Sequence, residues 1–206
     1  MDEWFTIEEI DDETYAISEY GHWEKVHSYL LIGKTSALLI DTGLGIGNIK
    51  KEIDKLTELP VIVVTTHVHW DHIGGHALFN IICVHKNDSE WLKAGIPVPL
   101  SVIKKNVMSE PFSKNPPVEF NIEDYKIYTG DPTKILNDND IIDIKQSIDK
   151  ISSLKGITKV LPAHNELNVK VDLISSIKNA FEDIEDKGML KQGNGIFHFC
   201  EFSIHI

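Results

Sequence analysis

Between Thr66 and Gly75 the chain reads THVHWDHIGG, with three histidines and an aspartate within six positions. His67 and His69 are two apart, so on an extended backbone both imidazoles leave the same side and can grip one ion. Asp71 and His72 lie on the turn that follows and can face a second ion beside it. Zinc, iron and manganese all accept neutral imidazole and carboxylate, and zinc is the commonest partner of such a set. A cation held there acidifies water and polarises a carbonyl, which is the chemistry of hydrolysis. Gly74 and Gly75 let the backbone turn sharply into a following helix.

The preceding VIVVT is a short apolar run, as expected of a strand buried on both faces. FTIEEI, TYAISEY, VHSYLLIG and SALLIDTG read as earlier strands. Ile46, Ile49, Ile53 and Leu56 recur at helical spacing before Pro60. Strand, helix and strand form a βαβ unit, and the histidine-rich stretch sits at the C-terminal end of its second strand.

Downstream, IICVH reads as a strand and NDSEWLKAG as a short helix opened by Asn87 or Asp88 and closed by Gly95. Residues 96–120 carry Pro97, Pro99, Pro111, Pro116 and Pro117 and read as an irregular excursion or lid. YKIYTG and ITKVLP fit strands, ILNDNDIIDI a turn then a strand, and SIDKISSL a helix. A longer helix places Leu173, Ile174, Ile177, Phe181 and Ile184 on one face. GIFHFCEFSIHI reads as one final strand with a bulge between Phe199 and Phe202. No repeat or boundary divides the chain, so residues 1–206 are expected to form a single α/β domain.

Composition narrows the class. With 206 residues, 42% hydrophobic and 25% charged, the chain suits a globular fold. Its net charge of -12 argues against a nucleic-acid partner, which demands a cationic surface. The acidic start MDEWFTIEEIDDE lacks the basic and apolar regions of a secretory signal, and no apolar run approaches the ~20 residues of a membrane span. Cys83 and Cys200 are far apart and outside any C-x-x-C spacing. A cytoplasmic protein acting on a small molecule, with no membrane partner, is the expectation, and the oligomeric state stays open.

Three motifs together carry a resemblance. THVHWDHIGG resembles the H-x-H-x-D-H signature of the metallo-β-lactamase superfamily, SALLIDTGLG its strand ending in Asp-Thr-Gly, and LPAHNE its late proline-x-histidine loop. The resemblance runs from about Tyr15 to Ile206. It implies a four-layer αββα sandwich and, in most members, a zinc-dependent hydrolase. Two zinc ions are implied, with iron or manganese as alternatives. His67, His69, Asp71, His72 and His164 are the implied metal ligands, and Asp41 the residue that supports the metal loop from behind. Asp71 would also orient the nucleophile, a water that loses its proton between the cations and attacks a small ester, thioester, lactone or amide.

Two parts of the family pattern are missing. One is a third histidine in a Thr-Pro-Gly-His-like turn; neither His76 nor His85 matches it. The other is a bridging aspartate after a glycine. TGD at Thr129–Asp131 has the right letters, but it precedes a stretch that in the family leads to the missing histidine. Asp131 is read here as a turn residue, with the bridge as its alternative. The break falls near Ile144–Lys145, so the sandwich is incomplete as written. If the 206 residues join two parts of a longer chain, the Cα–Cα distance there should far exceed the ~3.8 Å of a trans peptide. If the deletion is real, a catalytically impaired metal-binding or interaction protein is the alternative. A diiron oxidoreductase is a third reading, weakened because those relatives place Glu where this chain has His69.

Overall fold

The computed structural model describes residues 4–136, 157–165, 167, 169–186, 196–198 and 203–205. The chain divides into two compact units, one of residues 1–137 and 162–165, the other of residues 138–161 and 166–206.

The first unit is built on a seven-stranded sheet whose strands pair in chain order. They are β1 (Thr6–Asp11), β2 (Thr14–Ser18), β3 (His27–Ile32), β4 (Ala37–Ile40), β5 (Val61–Val64), β6 (Ile82–His85) and β7 (Lys134–Leu136). β1 to β4 run antiparallel, and β4 to β7 run parallel. The register puts Leu30 beside Leu39, Leu39 beside Val63 and Val63 beside Ile82. All four are buried. This apolar row crosses from the antiparallel half into the parallel half and ties them into one core.

Between β4 and β5 runs α1 (Ile49–Leu56), opened by Asn48, whose side-chain oxygen accepts the Lys51 N–H. Ile49 and Ile53 are buried on its inner face, four apart as a helix requires. β4, α1 and β5 are the expected βαβ unit, with Ile40 and Val64 as the last paired residues. Both strands therefore end at one level, and the histidine-rich loop leaves from that edge.

The structure departs from the local expectations at several places. Residues 96–120 contain a helix, α3 (Leu100–Val107), in addition to the expected α2 (Ser89–Ala94). Its Ile103 and Val107 are buried four residues apart, and Pro99 stands at the N-cap, where a proline does no harm. The metal loop is followed by a short 3₁₀ turn at His76–Leu78 rather than an α-helix. Tyr125–Gly130 is not a strand; Tyr125 is buried instead, its hydroxyl donating to the Leu44 carbonyl at 2.8 Å.

In the second unit, α4 (Leu173–Asp186) forms as expected, with Leu173, Ile174 and Ile177 half-buried and Ala180 buried. ITKVLP contributes an isolated bridge between Val160 and Val169, not a strand. The C-terminal stretch also differs: β8 (Ile196–His198) and β9 (Ser203–His205) pair antiparallel, where one strand was expected. SIDKISSL, the part of ILNDNDIIDI beyond Leu136, the bulge between Phe199 and Phe202, and the Ile144–Lys145 junction lie outside the described residues. Among the described residues, no helix is long and apolar enough to cross a membrane.

Candidate metal centre

Beyond β5 the backbone bends at Thr66 and His67, and burial still alternates along it. Val68 and Trp70 are buried while His67 and His69 are exposed. The two imidazoles do leave the same side: their rings stack with centroids 5.6 Å apart. The chain then tightens, with His72 N–H and Ile73 N–H both bonded to the His69 carbonyl. That turn buries Asp71 and His72.

Three ligand-type atoms converge there. His72 Nε2 is 3.4 Å from Asp71 Oδ2, His164 Nε2 is 3.4 Å from the same oxygen, and the two Nε2 atoms are 3.3 Å apart. His72 Nδ1 donates to Asp41 Oδ2 at 2.7 Å, and His164 Nδ1 donates to the Glu24 carbonyl at 2.8 Å. With the protons on Nδ1, both Nε2 atoms turn bare lone pairs toward each other and toward a carboxylate oxygen. No hydrogen bond can join them. A tetrahedral ion with ligands at about 2.0–2.1 Å has ligand–ligand edges of about 3.3–3.4 Å, which these separations match. The donor set fits a divalent cation of the zinc type.

The surroundings favour the ligand forms of Asp71 and His67, and the protonated form of His69. Burial alone would raise the Asp71 carboxyl, but the His69 hydrogen bond and the nearby His72 outweigh it and hold it below the usual range. His69 Nδ1 donates to Asp71 Oδ1 at 2.9 Å, and that bond raises the His69 imidazole. Burial, aided by His72, pushes His67 down to about 4. His67 lies against His72, with ring centroids 4.1 Å apart.

Asp71, His72 and His164 are thus brought together, and among the described residues they form the one cluster with three such ligands. His67 and His69 border it without completing a second cluster. Asp131 is exposed and 3.5 Å from Lys93 Nζ, in keeping with a turn residue. His76 is buried between Thr42 Oγ1 and Thr65 Oγ1, each at 2.7 Å, and burial drives it down to about 4. It is a neutral strut, not a ligand. His22 and His27 are also buried and hydrogen-bonded away from the cluster.

The loop is clamped by the turn that follows β4. Asp41 accepts Thr66 N–H at 2.8 Å and Thr66 Oγ1–H at 2.6 Å in addition to His72. Thr42 N–H reaches the His72 carbonyl and Gly74 N–H reaches the Gly43 carbonyl, both at 2.8 Å. Gly74 is obligatory: a Cβ there would lie 2.2 Å from the Leu44 carbonyl carbon. The late loop is held just as firmly. His27 N–H bonds the Ala163 carbonyl, Asn165 N–H bonds the Lys25 carbonyl, and Tyr29 donates to the Pro162 carbonyl. Glu24 was missed in the sequence: its carbonyl and its carboxylate, the latter at 3.6 Å, both face Nδ1 of His164, a residue 140 positions away with which it shares no motif.

A family model of the metallo-beta-lactamase superfamily matches residues 22–135. The chain belongs to the metallo-beta-lactamase superfamily. Membership assigns the α/β metallo-β-lactamase fold expected from the motifs, and the mixed seven-stranded sheet agrees with it. Over 156 residues the chain is 26% identical to acyl-coenzyme A thioesterase MBLAC2 of Homo sapiens, covering 69% of this chain and 55% of the relative. The same figures hold for MBLAC2 of Bos taurus. The chain spans about half the length of these curated relatives. Among solved structures, it resembles a metallo-beta-lactamase of Cronobacter sakazakii at 15% identity and a TM-score of 0.44, covering 65% of this chain and 47% of that one. A second, from Pontibacter korlensis, gives 16% identity and a TM-score of 0.42, covering 68% and 56%.

Proposed function

We propose that this metallo-beta-lactamase superfamily chain is a zinc-dependent hydrolase acting on the carbonyl of a thioester or ester, with acyl-coenzyme A thioesters as its substrate class. One observation carries the metal-dependent reading: three ligand-type atoms of Asp71, His72 and His164 lie 3.3–3.4 Å apart. The substrate class is supported by the 26% identity to proteins named acyl-coenzyme A thioesterases.

When bound, the divalent cation supplies Lewis acidity, acidifying water and polarising the substrate carbonyl. The protein's part is to hold the imidazoles in a fixed tautomer and orientation. Asp41 keeps the His72 proton on Nδ1, and the Glu24 carbonyl does the same for His164. Asp71 offers Oδ2 to the cluster while Oδ1 is held by His69, so its carboxylate cannot rotate freely. His67 and His69, facing the same side, are assigned to a second cation.

The test is chelator-sensitive turnover. The purified chain is assayed on acyl-coenzyme A thioesters of several lengths, an aryl ester and a lactone, with bound metal measured by mass spectrometry. Thioester hydrolysis that a chelator abolishes and zinc restores is expected. A chain that holds no metal and turns over none of these with added zinc, manganese or iron would overturn the reading.

A further inference from the structure

Beneath the turn that clamps the metal loop lies a carboxylate that none of the family motifs includes. Glu19 follows β2 and is 2% exposed. Its Oε2 accepts the Trp4 Nε1–H at 2.6 Å, and its Oε1 accepts the Leu44 N–H at 2.8 Å. The two donors come from segments far apart in sequence, and among the described residues no lysine is near enough to neutralise the charge. Burial accordingly pushes its carboxyl up to about 7. Such a group lowers stability when ionised, so packing alone does not account for it.

Its position explains what it does. Gly43 adopts a left-handed φ of 69°, and a Cβ at Gly43 would lie 2.0 Å from Glu19 Oε1. The carboxylate therefore packs flat under a turn that only glycine can make. From that turn Thr42 holds the His72 carbonyl and Gly43 holds the Gly74 amide, while Asp41 fixes the His72 ring.

We propose that Glu19 is a positioning residue for the metal centre, its buried carboxylate fixing the Thr42–Leu44 turn that in turn sets the placement of His72. This inference rests on the metal-centre reading above. Both carboxyl oxygens serve as acceptors, one for Trp4 and one for Leu44. Glutamine has one acceptor oxygen and would turn its amide N–H₂ toward a second N–H donor. Aspartate is one methylene too short to span Trp4 and Leu44.

The full chain is titrated with Co²⁺, whose visible absorption reports ligand geometry, for wild type, Glu19→Gln and Trp4→Phe. Far-UV circular dichroism checks the fold of each. Glu19→Gln is expected to weaken Co²⁺ binding about tenfold, the low end for outer partners of metal ligands, and to alter the absorption bands. Trp4→Phe deletes one donor and keeps the ring, so a smaller change of the same kind is expected; it decides the matter should Glu19→Gln fail to fold. Folded variants with wild-type affinity and spectrum would overturn the positioning role and leave the metal centre standing. A wild-type chain that binds no Co²⁺ would overturn both.

Discussion

His72 gives its Nδ1 proton to Asp41 Oδ2 across 2.7 Å, while Thr66 donates to both Asp41 oxygens from its N–H and its hydroxyl. The aspartate is an acceptor in all three bonds. An asparagine in its place would have one oxygen to offer and a donor N–H₂ facing either Thr66 N–H or the His72 ring. Asp41→Asn is therefore expected to weaken zinc binding by about 10–100-fold with the fold intact. A competition titration against a coloured chelator measures this, and unchanged affinity would mean that the His72 tautomer is fixed by something else.

Loss of a donor atom should show in metal content before it shows in stability. His164→Ala removes one corner of the cluster while its loop stays held by backbone bonds from Lys25 and His27. The variant should retain less than the wild-type metal per chain, and kcat/KM on a thioester should fall by at least about a hundredfold, the scale of losing one group that stabilises the transition state. Full metal content in the variant would remove His164 from the ligand set.

Stability should carry an inverted pH signature from Glu19. The folded carboxyl titrates at about 7 against 4.5 for the ordinary group. Between those values the folded chain keeps a proton that the unfolded chain has lost, so stability falls as pH rises. Asp71 and Tyr125 face the same group, and the negative charge of Asp71 adds to the upward shift. Relative to wild type, metal-free Glu19→Gln should gain stability from pH 5 to pH 7, by about 2 kcal/mol. Urea denaturation at the two pH values tests the sign; a stability difference between the two chains that does not change with pH would place the Glu19 carboxyl at its ordinary value.

Asp131 supplies the contrasting case. It is exposed and within reach of Lys93, outside the Asp71–His72–His164 cluster. Asp131→Ala should leave kcat/KM and metal content within about twofold of wild type, as surface changes usually do. A large loss would restore it as a bridging ligand.

The histidine-rich loop was readable as a candidate metal loop because its chemistry is local. Four titratable residues in six positions, set at a strand end, leave few other uses, and the βαβ pattern around them located that end. Asp41 and His164 were readable through motif resemblance, and the structure brings both to His72. Glu19 and His76 were not readable, because their significance lies in partners 25 and 34 residues away. A lone Glu after a strand and a lone His after two glycines have no spacing to betray them. The α3 helix was missed for a different reason: prolines crowd both of its ends, and a proline before a helix looks in sequence like a proline that prevents one.

Asp41 also has a left-handed φ of 58°, a conformation that costs a residue with a Cβ about 1 kcal/mol and a glycine almost nothing. Asp41→Gly would relieve that strain and at the same time strip His72 and Thr66 of their acceptor. The three donors left without an acceptor, the buried His72 Nδ1–H among them, cost more than that strain, at about 1–3 kcal/mol for a buried one. Residue 41 is thus a position where the backbone alone would choose glycine and the surrounding donors hold it to aspartate.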